Sequence, residues 1–196
     1  MLVGLGMSSI AARPQTANDL PASAAPLLKL RIILGKETYA LHEPLFIKTE
    51  FTNLSDRTLC FPKPEQGRTV PVQGYLVTGV IAPPGDNEVE KFIEVFDGGG
   101  VWPREKLLSE IKQRWIWLPP HEVYVSDPAQ VQTELNFPGN WQIEETYQPP
   151  EGSFDRAGEY RKYLKTTALS VGCTLPETEV STQPVTISVM AAPEKK

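Results

Sequence analysis

Residues 45–55, LFIKTEFTNLS, alternate strictly: Leu45, Ile47, Thr49 and Phe51 fall on one face, and Phe46, Lys48, Glu50 and Thr52 on the other. A period of two over that length is a half-buried strand with one wet face, because successive side chains of an extended backbone point to opposite sides. A strand of this kind needs a second layer to cover its apolar face. The rest of the chain is cut into similarly short pieces. Its 19 prolines and 14 glycines are scattered along 196 residues, which suits many strands joined by turns and works against a helical bundle.

Further strands are expected at 27–34, 57–61, 74–82, 89–96 and 115–118. Residues 121–126 and 131–137 are weaker candidates, and 158–169 and 183–190 supply the last two strands. WIWL at 115–118 is apolar on both faces and is therefore expected to be a covered strand. One segment breaks the pattern. In 103–114, Pro103 stands at a permitted first helical position, and Leu107, Leu108, Ile111 and Trp115 are spaced for one helical face. The stretch 139–157, rich in Pro, Gly and Glu, has no clear assignment. About seven to nine strands, with turns about every 8 to 12 residues, predict an all-β, antiparallel immunoglobulin-like β-sandwich with one short inserted helix. One domain over residues 27–191 is the expected organisation.

Three segments resemble a known group. YALHEPLFIKTEFTNLSDRTLCF (39–61) resembles the Tyr-x-x-Gly-Glu-Pro opening and Asn-x-Ser/Thr turn of bacterial extracellular immunoglobulin-like modules, including those similar to the BsuPI-type proteinase inhibitor fold. WIWLPPHEVY resembles their Leu-x-Pro-Gly-Glu turn. AGEYRKYL together with STQPVTISV resembles their closing Pro-Gly-x-Tyr and Ser-x-Pro-Val-x-Ile-x-Val. His42 and His121 stand where the group usually has Gly. The likeness covers about half of the chain and consists of turn signals, so it implies fold before activity. In Greek-key sandwiches a tyrosine near the start of the penultimate strand bonds back to the preceding connection. Tyr160 is the expected corner residue, with Gly158 allowing the tight entry.

The chemistry-bearing residues are few. His42-Glu43 and His121-Glu122 are the only two histidine positions, and together they could supply four ligands if the turns met in space. Neither has the i, i+4 helical spacing of a zinc protease, and solvated turns are the expected reading. No Gly-x-Ser-x-Gly is present to anchor serine catalysis, and DGGG (97–100) lacks the lysine of a phosphate loop. Glu144 and Glu145 would face opposite ways on extended backbone and so make a poor acid–base pair. The aromatic residues offer an alternative site: Trp115 and Trp117 share a strand face, and with Trp102, Trp141, Tyr124 and Tyr147 could form a stacking platform for a sugar or peptide. The competing expectation is a second, smaller core under the helix.

A net charge of −5 gives no electrostatic reason to expect nucleic acid or an anionic membrane. No run approaches the roughly 18 to 20 apolar residues of a membrane span. Leu2–Ala12, with Ser9-Ile10-Ala11 at its end, resembles the close of a secretory signal, and residues 13–26 read as a flexible linker, with a frayed tail at 192–196. In a periplasmic or secreted chain, Cys60 and Cys173 are best explained as a disulfide. Antiparallel strands beginning at Arg57 and Gly158 would bring their ends together. The expected function is an exported, non-catalytic module that binds a protein or cell-surface ligand through loops or an edge strand, without a cofactor, as a monomer or part of an assembly. The alternatives are a proteinase inhibitor presenting 139–153 as an exposed loop, and a metal-dependent enzyme built on the two His-Glu turns.

Overall fold

A computed structural model describes residues 26–63, 75–83, 89–93, 102–131, 133–149 and 157–191. The signal-like run, the linker, the DGGG loop and the tail lie outside the described residues. In chain order the first strands are β1 (Leu28–Leu34), β2 (Thr38–Ala40), β3 (Phe46–Asn53), β4 (Leu59–Pro62), β5 (Tyr75–Ile81) and β6 (Val89–Ile93). Helix α1 (Arg104–Arg114) runs directly into β7 (Trp115–Leu118), followed by β8 (Val123–Val125), β9 (Ala129–Gln130) and β10 (Gly139–Gln148). Helix α2 (Ala157–Leu169), β11 (Val180–Ser181) and β12 (Val185–Met190) complete the described elements.

Two sheets face each other. One has the order β1-β3-β8, with β9 also on β3; the other has the order β2-β12-β10-β5-β6, with β11 on β10. The pairings are antiparallel except that β2 runs parallel to β12. The alternation of 45–55 works as read: Ile47, Thr49 and Phe51 are buried, while Lys48 faces out and Glu50 binds Arg31 across the β1–β3 ladder. The inward faces form two apolar clusters. Ile32, Ile47, Val80, Trp141, Ile143 and Ile187 belong to one; Leu30, Phe51, Phe61, Ile116 and Tyr147 belong to the other.

Between them lies a polar seam. Thr49 Oγ1 donates to Glu145 Oε2 at 2.7 Å, joining the two sheets, and Glu145 N donates to Thr182 Oγ1 at 3.0 Å. Glu145 is 1% exposed, so its carboxyl is stabilised by hydrogen bonds in place of water.

Three expectations are corrected. Residues 139–148 form the central strand β10, in which Trp141, Ile143, Glu145 and Tyr147 all point inward. Residues 157–169 form a helix, not a strand, giving two helices among the described residues where one was expected. Its buried residues Leu164, Thr167 and Ala168 follow the helical period, with Lys162, Lys165 and Thr166 outside. Residues 133–136 are irregular. The corner is therefore not at Tyr160. Pro138-Gly139-Asn140-Trp141 opens the penultimate long strand, and Trp141 Nε1 donates to Phe137 O at 3.0 Å, four residues upstream. A tryptophan fills the corner with an N–H where a tyrosine would use its hydroxyl. Gly139 is required there: its φ is +134°, and a Cβ would stand 2.9 Å from Pro83 Cγ.

Candidate functional site

Three connections leave the sandwich at one end and build a cap over it. Gln148 at the end of β10 pairs with Tyr75 at the start of β5, and Ile93 at the end of β6 pairs with Val77. Asn53, the last residue of β3, receives the chain returning to β8, its N–H donating to Glu122 O at 3.0 Å. The connection from β3 to β5 carries β4. That from β6 to β8 carries α1 and β7, and that from β10 to β12 carries α2 and β11.

The middle layer of the cap is the antiparallel β4–β7 ladder, with Leu59 opposite Leu118 and Phe61 opposite Ile116. Period two decides what each face meets. Leu59, Phe61, Ile116 and Leu118 pack on the sandwich, while Cys60, Trp115 and Trp117 face the helices. There they join Leu107 and Ile111 of α1 and Leu164 and Ala168 of α2 in a third apolar cluster. WIWL is thus a covered strand, as its apolar sequence predicts.

Cys60 and Cys173 are joined by a disulfide with Cα atoms 5.7 Å apart. The bond is as expected, but the route to it is not. Helix α2 is stopped by Gly172, whose φ is +90°, and Cys173 N donates to Ala168 O at 3.2 Å, closing the last turn. The next residue, Thr174, pairs in parallel with Leu59. The glycine stop therefore delivers Cys173 to the helix-facing side of β4. Asn53 ties the same layer to the frame. Its Nδ2 donates to Arg57 O at 2.7 Å and to Leu118 O and Pro119 O at 2.9 Å each. Its Oδ1 accepts from Ser55 N and Ser55 Oγ at 2.9 and 2.8 Å.

An open groove of about 610 Å³ runs beside β7, lined by Lys63, Gln113, Arg114, Trp115, Ile116, Trp117 and Tyr124. Among the described residues its lining combines aromatic surface with two cations and no carboxylate. Trp117 Nε1 donates to Ile111 O at 2.7 Å, whereas the Trp115 indole N–H, on a side chain 6% exposed, has no acceptor among the described residues. Lys63 Nζ meets Asp127 at 3.0 Å, and Arg114 Nε lies 3.8 Å from Glu110. On the outside of the cap the Tyr160 and Tyr163 rings stack with centroids 6.2 Å apart, and Tyr163 donates its hydroxyl to Trp102 O at 3.0 Å. Burial, with Tyr163 beside it, pushes the Tyr160 phenol up to about 12.

The aromatic platform is not formed as a unit. Trp141 and Tyr147 are buried in different sandwich clusters, and Trp115 and Trp117 belong to the cap core. Of the expected set, only Trp115, Trp117 and Tyr124 line the groove. Burial of the Tyr147 phenol raises its pKa. Gly158 and Tyr160 lie in the first turns of α2 and shape no corner. The two His-Glu turns cannot share a metal, because one precedes the first residue of β3 and the other meets its last. At about 3.3 Å per residue the eight-residue strand separates them by roughly 20 Å. Among the described residues no group of three or more His, Cys, Asp or Glu is placed to hold a metal ion. Both histidines are the third residue of a four-residue turn with φ of 62°. That left-handed position favours glycine. Finally, 139–148 is a central strand, so it cannot be the exposed loop an inhibitor would present.

The fold and its cap define an immunoglobulin-like β-sandwich module. No protein family matches the chain, and no curated protein matches it. Among solved structures it is similar to a β-glucosidase from Listeria innocua, at 9% identity and a TM-score of 0.39 over 86% of this chain. The chain spans only 16% of that enzyme's length. It is also similar to the CARDB domain of a Pyrococcus furiosus protein, at 10% identity and a TM-score of 0.37, covering 85% of this chain and 96% of that one. The sporulation control protein Spo0M of Bacillus subtilis matches at 12% identity and a TM-score of 0.35, over 85% of this chain and 50% of its own. The assignment to the class rests on the facing sheets described above. Among the described residues no helix is long and apolar enough to cross a membrane.

Proposed function

We propose that the protein is an exported, non-catalytic recognition module that contacts a protein through the capped end of its sandwich. The observation that carries this reading is the cap itself. Three separate connections at this end are packed around their own apolar cluster and fixed by a buried disulfide. A rigid surface of this kind lowers the ordering cost of association. The disulfide supports export, since such bonds persist in oxidising compartments.

Site-specific photo-crosslinking tests the reading in cells that make the protein. A crosslinker at Gln113, on the groove, is expected to capture a partner. One at Glu37, between β1 and β2 at the opposite end, is not. Adducts from Glu37 with none from Gln113 would sink the assignment of the cap as the contact surface.

A further inference from the structure

Strand β8 is an edge. It pairs with β3 through Glu50–Val125, Phe51–Tyr124 and Thr52–Val123, and among the described residues nothing pairs with its other side. The hydrogen bonds fix which groups face outward. Asn53 N donates to Glu122 O, and Ser126 N donates to Thr49 O. Hydrogen-bonded pairs alternate along an antiparallel ladder, so Tyr124 exchanges bonds with Phe51, while the N–H and C=O of Val123 and Val125 point away from β3. The same two valines are 50% and 43% exposed. Edges of this kind are normally blunted by charge or proline, and β8 has neither.

The groove lies on the Tyr124 side of this edge. A strand added to β8 would place alternate side chains on that side, where they meet Trp117, Arg114 and Lys63. Among the described residues the groove lining holds two cations and no carboxylate, which favours an acidic side chain there. The exposed Lys63–Asp127 pair is of a kind that a partner's carboxylate can displace easily.

We propose that β8 accepts an extended segment of the partner protein as an additional strand, with β-branched apolar residues beside Val123 and Val125 and acidic residues in the groove. This rests on the recognition reading above and names the chemistry of its partner.

The probe is a nine-residue peptide of alternating valine and glutamate, and its control carries lysine in place of glutamate. Amide hydrogen exchange of the full chain is followed by NMR. At saturation the glutamate peptide is expected to slow exchange at Val123 and Val125 at least tenfold, and the lysine peptide to leave it unchanged. Arg114→Glu, on an exposed side chain, is expected to weaken the glutamate peptide at least tenfold. Val125→Pro removes an outward N–H while sparing the bonds to β3, and is expected to do the same. No protection at β8, or equal protection by both peptides, overturns the proposal. If Gln113 still crosslinks to a natural partner in that case, strand addition falls and the recognition reading stands. Protection at β8 with natural adducts only at Glu37 has the converse meaning: strand addition stands, and the cap is not where the partner sits.

Discussion

Replacing Asn53 with aspartate keeps the side chain's shape and inverts half of its hydrogen bonding. The amide nitrogen serves three carbonyls, of Arg57, Leu118 and Pro119, at the junction of β3, β4 and β7, on a residue that is 1% exposed. A carboxylate there keeps the acceptor used by Ser55 but turns an anion toward three carbonyl oxygens. The bond to Leu118 O is buried and the other two partly so. Taking about 1 to 3 kcal/mol for the buried acceptor left unpaired and about 1 kcal/mol for each of the others gives a loss of about 3 to 5 kcal/mol. Asn53→Ala should fall toward the lower end, because it removes the donor without adding charge. The assay is urea unfolding followed by tryptophan fluorescence at pH 7, with both variants compared at the same slope. The two variants should separate further at neutral pH than in acid, where a protonated aspartate regains one donor. An Asn53→Asp variant within about 1 kcal/mol of the native chain at pH 7 would refute the assignment of the amide as the junction's donor.

Replacing Cys60 and Cys173 together by alanine releases a loop of 113 residues and should lower stability by about 5 kcal/mol in the chain-entropy model; a loss below about 1 kcal/mol in urea unfolding would contradict it. His42→Gly and His121→Gly should each raise stability by about 0.5 to 1 kcal/mol, as relief of the left-handed backbone outweighs glycine's added freedom in the unfolded chain; a drop in thermal midpoint at both would refute that. Trp141→Phe should lose about 1 kcal/mol or more through the unpaired Phe137 carbonyl and lost ring area, and hydrogen exchange should quicken at the start of β10. The Arg31 guanidinium, bonded to Glu50, and the Lys36 ammonium, bonded to Glu43, hold both carboxyls below the ordinary glutamate value. Their folded values lie below the unfolded ones, so this stabilisation is present above the ordinary glutamate range and lost as pH falls through the lowered values. The stability difference between the native chain and Glu50→Gln should therefore shrink on acidification, and one undiminished at about pH 2 would refute the linkage.

The frame of the sandwich could be read where burial and polarity agree. In β3 every second side chain is both inward and apolar or small, and the expected strand differs from the observed one by a residue or two at each end. In β10 they disagree. Glu145 occupies an inward position because Thr49 and Thr182 bond to its side chain and backbone, and both partners are distant in sequence. A pattern search sees only a carboxylate interrupting the period. Helix α2 was hidden by a different effect: Gly158-Glu159-Tyr160 resembles a strand entry, although Leu164, Thr167 and Ala168 carry the helical spacing. The corresponding Pro-Gly-x-aromatic signal was present nineteen residues earlier, ending in Trp141. The cysteine pair could be read from its number and the inferred compartment. The groove could not, because its lining comes from the end of β4, the junction of α1 with β7, and β8, which meet only when the cap closes.

The Cys60–Cys173 bond also changes what a cut in the chain can do. From Phe61 to Gly172 the chain is one covalent ring that holds β5 to β10 and both helices, leaving β1 to β3 and β11 and β12 as its two tails. A protease that severs any single peptide bond in that ring opens it but separates nothing. Both pieces stay joined through sulfur, and the two-sheet core keeps all its strands. Only a cut in a tail, or a second cut within the ring, can release a fragment.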